Sequence, residues 1–235
     1  MSVALLGVDC ATDPAKTGLA LGELHDGEVS IMGCTICSKK RPPAALALEW
    51  LDQRDNALIA LDAPLGWPRA LGTGLHSHRA GAALASEPNR LFRRATDDEI
   101  RLRLGKRPLD VGADRIARTA AAALALLGAL RRVTGRSIPL AWAPEEDATW
   151  RAIEVYPAAT RIAHGAADHG GSLEGLGELL DCSAVEPTAL ASKDAVDACV
   201  CVLAAADFLL GGAVAPSDLE TAVVEGWIWA PGPPV

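Results

Sequence analysis

Ala4-Leu5-Leu6-Gly7-Val8-Asp9 is an apolar run that ends in a carboxylate. A short apolar run of this kind predicts a buried β-strand, and it places Asp9 where the strand reaches the edge of its sheet. Ala57-Leu58-Ile59-Ala60-Leu61 has the same form and is followed by Asp62. Because functional groups of α/β proteins gather at the carboxyl ends of parallel strands, these two acids indicate where the functional edge of the sheet lies.

The segments between these two strands predict how the sheet begins. Residues 17–24 and 28–37 are apolar and are joined by the turn-forming His25-Asp26-Gly27, which predicts an antiparallel meander of three strands with the first one. Pro42-Pro43 then starts a helix that leads into the strand at 57–61. A strand reached through a helix is expected to run parallel to its partner.

We expect residues 62–110 to form a long insertion after the fourth strand, because they are rich in Gly, Pro, Arg and His and lack a sustained hydrophobic period. Long excursions of this kind usually cover or build a site. The pattern further predicts helices at 113–133, 172–181 and 191–210, a fifth strand at 152–156, and a terminal strand or hook at 225–229. Residues 1–235 are therefore expected to form a single α/β domain, in which helices flank a mixed sheet.

Composition and charge argue against several classes of protein. The chain carries a formal charge of −8, which repels polyanions unless a local basic surface exists. No run of about 18 uncharged apolar residues is present to cross a bilayer, and the N-terminus lacks the basic region of a signal peptide. The six cysteines lie mostly in apolar segments and are expected to be reduced. We therefore expect a cytoplasmic protein that does not enter a membrane.

One basic segment contrasts with the acidic background. Residues 90–107 carry six arginines and one lysine, together with three acids. The segment fits a solvated amphipathic helix with internal ion pairs at least as well as it fits a surface that binds phosphate groups.

Three further acids complete the candidate set. Glu154 lies in the short fifth strand, and Asp194 and Asp197 lie about one turn apart on the same face of the last long helix. Converging carboxylates repel one another unless divalent cations neutralise them, and hard oxygen ligands favour Mg²⁺ or Mn²⁺. Two such ions about 4 Å apart can activate a water molecule and stabilise the leaving oxygen of a phosphodiester.

Most of these acids also have an interpretation that needs no metal. Asp194 follows the helix-capping Ser192 and can complement the positive end of the helix. Asp62 precedes a turn that an Asx hydrogen bond would favour, and Glu154 can pair with an arginine. Asp197 is harder to explain in this way because the residues after it are apolar.

Six motifs follow one another along nearly the whole chain: Gly7-Val8-Asp9-Cys10-Ala11, Leu61-Asp62-Ala63-Pro64-Leu65-Gly66, Phe92-Arg93-Arg94-Ala95-Thr96-Asp97, Glu154-Val155-Tyr156-Pro157, Lys193-Asp194-Ala195-Val196-Asp197-Ala198 and Glu225-Gly226-Trp227-Ile228-Trp229. Together they resemble the domain-of-unknown-function family 429, whose members are usually labelled predicted ribonuclease H-like nucleases. The resemblance implies a ribonuclease H-like fold, in which a mixed five-stranded sheet carries acids on its first and fourth strands and on the last helix.

The pair of aspartates on the last helix is also similar to that of the RuvC-type Holliday-junction resolvases, where both bind metal. This similarity implies four metal ligands in the present chain, namely Asp9, Asp62, Asp194 and Asp197. Glu154 has no clear counterpart in those resolvases, and the insertion at 62–110 and the acidic balance depart from them.

The leading hypothesis is a metal-dependent nuclease or phosphodiesterase, in which Mg²⁺ or Mn²⁺ held by these acids activates water and Glu154 joins them as a catalytic carboxylate. Residues 90–107 would then contact nucleic acid or a small phosphorylated ligand through Arg93, Arg94 and Thr96. Two alternatives stay open. One is a noncatalytic ligand-binding module, and the other is a nucleotide-binding phosphoryl-transfer protein of the same fold.

Overall fold

Five strands of the chain form one mixed sheet in a computed structural model that describes residues 2–112, 114–145, 149–168 and 171–234. The strands are β1 (Val3–Asp9), β2 (Gly18–His25), β3 (Glu28–Ile36), β4 (Ala57–Asp62) and β5 (Trp150–Glu154). Their order across the sheet is β3-β2-β1-β4-β5. The first three strands pair antiparallel, whereas β4 runs parallel to β1 and β5 runs parallel to β4. The predicted combination of a meander with parallel strands is therefore confirmed.

Helices cover both faces of this sheet. They are α1 (Pro43–Leu51), α2 (Arg69–Leu75), α3 (Pro88–Phe92), α4 (Ala95–Leu104), α5 (Ile116–Thr134), α6 (Pro157–Ala163), α7 (Lys193–Leu209) and α8 (Leu219–Glu225). Side chains alternate between the two faces of a strand, and β1 shows this directly. Leu5 packs with α7, whereas Leu6 and Val8 pack with α1 and α5. The sheet therefore separates two hydrophobic cores.

The central position of α7 follows from its composition. Every residue from Ala195 to Ala206 is buried, and a helix that is apolar on all sides belongs inside a protein. One side of α7 faces β1 and β2, and other buried residues such as Leu176 and Leu180 join the same core. The only charged residue in this buried stretch is Asp197.

Two glycines allow α7 to touch the sheet backbone to backbone. A Cβ atom added to Gly7 on β1 would overlap the carbonyl oxygen of Ala198, and one added to Gly18 on β2 would overlap the backbone of Asp194. Glycine is required at both positions because it is the only residue without a Cβ. This close approach sets the first turns of α7 directly against the end of β1.

The insertion and the tail are more ordered than the sequence indicated. Residues 62–110 contain α2, α3 and α4, so helices rather than irregular loops make up much of the insertion. The predicted hook is confirmed, since Trp227, Ile228 and Trp229 are buried and the amide of Trp229 donates to the carbonyl oxygen of Glu154 at 2.9 Å. The helix α8 that precedes the hook was not predicted.

The predicted helix at 172–181 is wrong. Residues 174–179 form consecutive turns, and the described part of this segment holds no helix. Gly171 and Gly175 have φ angles of 102° and 79°, which are left-handed values that interrupt a helix. Elsewhere, no helix in the described ranges combines the length and hydrophobicity that a membrane span requires.

Replacing Gly7 by alanine tests the contact between α7 and the sheet. We expect Gly7→Ala to lower the free energy of unfolding by about 1 to 3 kcal/mol or more, because the new methyl group meets rigid backbone. Gly33→Ala on β3 is the matched control, since nothing lies within 4 Å of its added Cβ. Urea denaturation measures both variants, and equal stability would contradict the contact.

An ion pair between α6 and α7 gives a second test, based on pH. The Nε2 atom of His164 lies 2.9 Å from Oδ2 of Asp207, and this hydrogen bond and charge raise the pKa of His164 against the opposing effect of burial. Because the pKa of His164 is raised in the folded state, its protonation stabilises the protein. This stabilisation is complete below the unfolded-state pKa of about 6.5, and it is lost as pH rises through the folded-state pKa.

We therefore expect Asp207→Asn to reduce the free energy of unfolding more at about pH 5.5 than at about pH 8.5. Urea titrations at the two pH values measure the difference. An identical loss at both pH values would show that the pair contributes no proton-linked stability.

Candidate functional site

Two aspartates stand side by side at the carboxyl edge of the sheet. Asp9 is the last residue of β1, Asp62 is the last residue of β4, and the two are register partners across the parallel pair. Their even spacing from Leu5 and Leu58 places both on the face of the sheet that α7 covers. Both residues are partly buried, and within the described ranges neither carboxylate accepts a hydrogen bond. Neither carboxylate therefore has a direct partner among the described residues that would compensate a negative charge.

The helix acids influence Asp9 and Asp62 electrostatically. Burial and the charges of Asp197 and Asp194 raise the pKa of Asp9 to about 7, while Lys193 acts in the opposite direction. Burial and the charges of Asp9 and Asp197 raise the pKa of Asp62 well above its ordinary value. The sheet and α7 thus bring the four predicted aspartates into one electrostatic field.

The carboxylate of Asp197 already has cationic partners. Arg161 of α6 lies 3.0 Å from Oδ1 of Asp197, and Lys193 lies 2.7 Å from Oδ2. Both Arg161 and Asp197 are buried, whereas Lys193 is exposed and one turn away on the same helix. Asp194 is half-buried in the first turn of α7. No role was expected for Lys193 from the sequence. Its spacing of four residues from Asp197 on one helix nevertheless predicts an ion pair between the two.

The donor chemistry of this edge suits a hard divalent cation in part. Asp9 and Asp62 offer neighbouring carboxylate oxygens without protein hydrogen bonds, as Mg²⁺ or Mn²⁺ requires. Arg161 and Lys193 each donate to one carboxylate oxygen of Asp197. Asp197 would therefore have to release Lys193 before it could bind a metal cation. In the described ranges, no three His, Cys, Asp or Glu side chains stand close enough together to share an ion. Two of the four expected ligands therefore fit the metal, with Asp194 and Asp197 nearby.

Glu154 belongs to a buried ion-pair network, although it lines the same cavity as Asp62 and its charge contributes to the raised pKa of Asp62. Its two carboxylate oxygens lie 2.8 and 2.7 Å from the guanidinium nitrogens of Arg94, and one of them also accepts the amide of Leu65 at 2.9 Å. A third member, Asp97, lies 2.8 Å from Arg94. The role that this geometry supports for Glu154 is to position the loop after β4, rather than the catalytic role expected from the sequence.

The expected substrate contacts also need correction. Arg94 is 1% exposed and fully engaged with acids, so its guanidinium does not face solvent. Thr96 is completely buried, and its hydroxyl accepts the amide of Ile228 at 2.8 Å. Of the three predicted contacts only Arg93 is partly exposed, and its Nε lies 3.4 Å from Asp110. Arg94 and Thr96 of the motif Phe92–Asp97 are therefore part of the protein interior.

A cavity of about 260 Å³ opens beside Asp62. Its walls are mainly apolar, with Leu109, Ile116 and Ile228 among them, and the Arg94–Glu154 pair lies at its base. Tyr156, the only tyrosine of the chain, also lines the cavity. Burial and the charges of Asp62 and Asp168 raise the pKa of Tyr156 to about 12, so its hydroxyl stays protonated. The position of Tyr156 in the cavity wall was not predicted, and its only indication in the sequence is that it follows Glu154 by two residues.

The buried network predicts a large effect of a single substitution. Arg94→Met leaves Glu154 and Asp97 without their cation, and we expect it to lower the free energy of unfolding by about 3 to 5 kcal/mol. The control is Arg41→Met, which breaks the exposed pair with Glu49 and should cost less than about 1 kcal/mol. Chemical denaturation compares the two, and equal effects would mean that the buried network contributes little to stability.

A comparison with known protein families covers nearly all of the region described above. The model of the family described as "Protein of unknown function (DUF429)" matches residues 7–221, which include all five candidate acids. Searches of curated proteins and of solved structures found no match. The match covers five of the six motifs and ends before the last one, Glu225–Trp229. It confirms the family resemblance, and the chain therefore belongs to the DUF429 family.

Proposed function

We propose that this protein is a metal-dependent hydrolase of phosphodiesters, with a ribonuclease H-like arrangement of its acids. The observation that carries the proposal is the pair Asp9 and Asp62, two register partners at the carboxyl edge of a sheet whose carboxylates accept no hydrogen bond from the described residues. Uncompensated carboxylates in a partly buried position are costly unless they receive a cation or a proton. The strand order and the contact of an acid-bearing helix with β1 support the ribonuclease H-like comparison.

The residues divide into ligands and positioning groups. Asp9 and Asp62 would hold Mg²⁺ or Mn²⁺, and Asp194 and Asp197 supply further negative charge from α7. The bound metal would supply an activated water and neutralise charge on the leaving oxygen. Glu154 acts as a positioning residue, since it fixes the amide of Leu65 in the loop after Asp62.

Lys193 balances charge at the same edge. Its ammonium group binds Asp197 and also interacts with the charges of Asp9 and Asp194. An exposed lysine in this position can attract an anionic substrate to a cluster that would otherwise repel it. The cavity beside Asp62 then receives the uncharged part of the substrate next to Tyr156.

Metal binding provides a readout that does not depend on activity. We expect Mg²⁺ or Mn²⁺ to raise the thermal midpoint of the native protein in a concentration-dependent manner, because a ligand that binds only the folded state stabilises it. Asp9→Asn and Asp62→Asn should remove this shift and also reduce hydrolysis of bis(p-nitrophenyl) phosphate to the background rate. Asp55→Asn, at an exposed aspartate outside the site, is the control. The proposal would be refuted if both site variants kept the native rise of the thermal midpoint with metal and the native rate of hydrolysis.

The same variants should be more stable than the native protein in metal-free buffer. The raised pKa of Asp9 means that its ionisation opposes folding as pH rises from about 4 to about 7, and Asn removes that penalty. We expect Asp9→Asn to gain about 1 to 2 kcal/mol at neutral pH. Urea denaturation measures this gain, and a loss of stability would indicate that Asp9 has a structural role instead.

A further inference from the structure

We propose that a cleft on the outer side of the insertion binds a phosphate group. The cleft has a volume of about 530 Å³ and is bounded by residues of α2, α3, α4 and α8. Four arginines line it, and three of them, together with neutral hydrogen-bonding side chains, carry the proposal: Arg69, Arg90, Arg93, Thr73, Ser86 and Asn89. This inference does not depend on the hydrolase proposal, because it concerns different residues and binding alone.

Two of these arginines have donors that the protein does not use. Arg90 is exposed, and within the described ranges it pairs with no carboxylate. The Nε atom of Arg93 is buried and forms no hydrogen bond there, although Asp110 lies 3.4 Å away. This Nε faces Asp110, but the Arg93 side chain is 22% exposed, and its terminal nitrogens form no hydrogen bond with described residues. A bound oxyanion would accept from these nitrogens and from Arg90.

Arg69 is held in place at the opposite wall. Its guanidinium lies 3.3 Å from Oε1 of Glu220 and donates to the carbonyl oxygen of the same residue at 2.9 Å. The contact fixes the direction of the side chain at the rim of the cleft.

Most of the acids around the cleft are already engaged: Glu220 pairs with Arg69 and Asp110 with Arg93, whereas Arg90 has no acidic partner within the described ranges. Asp98 and Glu225 line the cleft, against the three arginines named above and Arg94. The two carboxylate oxygens of Glu225 accept the amides of Arg69 and Ala95, each at 2.9 Å. Arg94 is neutralised internally by Glu154 and Asp97. The groups still available to a ligand are therefore mainly guanidinium donors.

Phosphate is the ligand that matches these donors best. Guanidinium groups bind phosphate oxygens through paired, charge-assisted hydrogen bonds, and hydroxyl and amide groups add neutral donors. The phosphate can belong to a nucleic-acid strand or to a small phosphorylated compound.

The bound phosphate would not be the one that undergoes hydrolysis at the acidic edge. Arg94 lines both this cleft and the cavity beside Asp62, and it stands between them as a buried wall. The cleft is therefore a separate binding site, at which a phosphate remote from the reacting group would be held.

Calorimetry in metal-free buffer with EDTA tests the site on the full chain. The probes are inorganic phosphate and a twelve-nucleotide single-stranded oligothymidylate. We expect the native protein to bind at least one of them, and the double variant Arg90→Gln/Arg93→Gln to bind it at least about tenfold more weakly. Arg90→Gln alone should show a smaller loss, and it keeps the Arg93–Asp110 pair intact.

The matched control is Arg101→Gln/Arg107→Gln, which removes the same charge from exposed positions of the same basic segment outside the cleft. Retained binding in this control supports a specific site. If inorganic phosphate binds and the oligonucleotide does not, the ligand is a small phosphorylated compound. If the oligonucleotide binds in a salt-dependent manner, the ligand is a nucleic-acid strand. No binding of either probe, or equal losses in the two double variants, would overturn the inference. Asp62→Asn should bind as the native protein does, which separates this result from the test of hydrolysis.

Discussion

The contact between the backbone of α7 and the backbones of β1 and β2 determines most of what this molecule presents at its candidate site. Gly7 and Gly18 remove the side chains that would keep the helix at an ordinary distance from the sheet. The close approach brings Asp194 and Asp197 within electrostatic reach of Asp9. The same packing makes α7 the centre of one hydrophobic core, so stability and the placement of the acids depend on one interface.

Charge is distributed in two different ways on either side of Arg94. In the interior, Arg94 and its two acidic partners satisfy one another and fix the loop that follows β4. At the edge of the sheet, Asp9 and Asp62 have no such partners, and burial and mutual repulsion raise their pKa values. This contrast separates acids that hold the fold from acids that have no direct partner within the described ranges.

The sequence predicted the features that depend on local pattern. Apolar runs gave all five strands, and the acids at the ends of β1 and β4 were correctly placed at one edge because parallel strands end together. It did not predict that Arg94 and Thr96 are buried, since burial of a polar side chain depends on distant partners such as Glu154 and Ile228. The arginine cleft was missed for the same reason, because Arg69 comes from a different helix of the insertion than Arg90 and Arg93.

The distance along the chain between Asp9 and Asp197 has a kinetic consequence. Contacts between residues far apart in sequence form slowly, because the entropy of closing a long loop is lost before the contacts stabilise the chain. The α7–β1 interface joins nearly opposite ends of the described chain, and the hook on β5 comes later still. We therefore expect the acidic edge to assemble late in folding, so that any activity of that edge would report on completed folding.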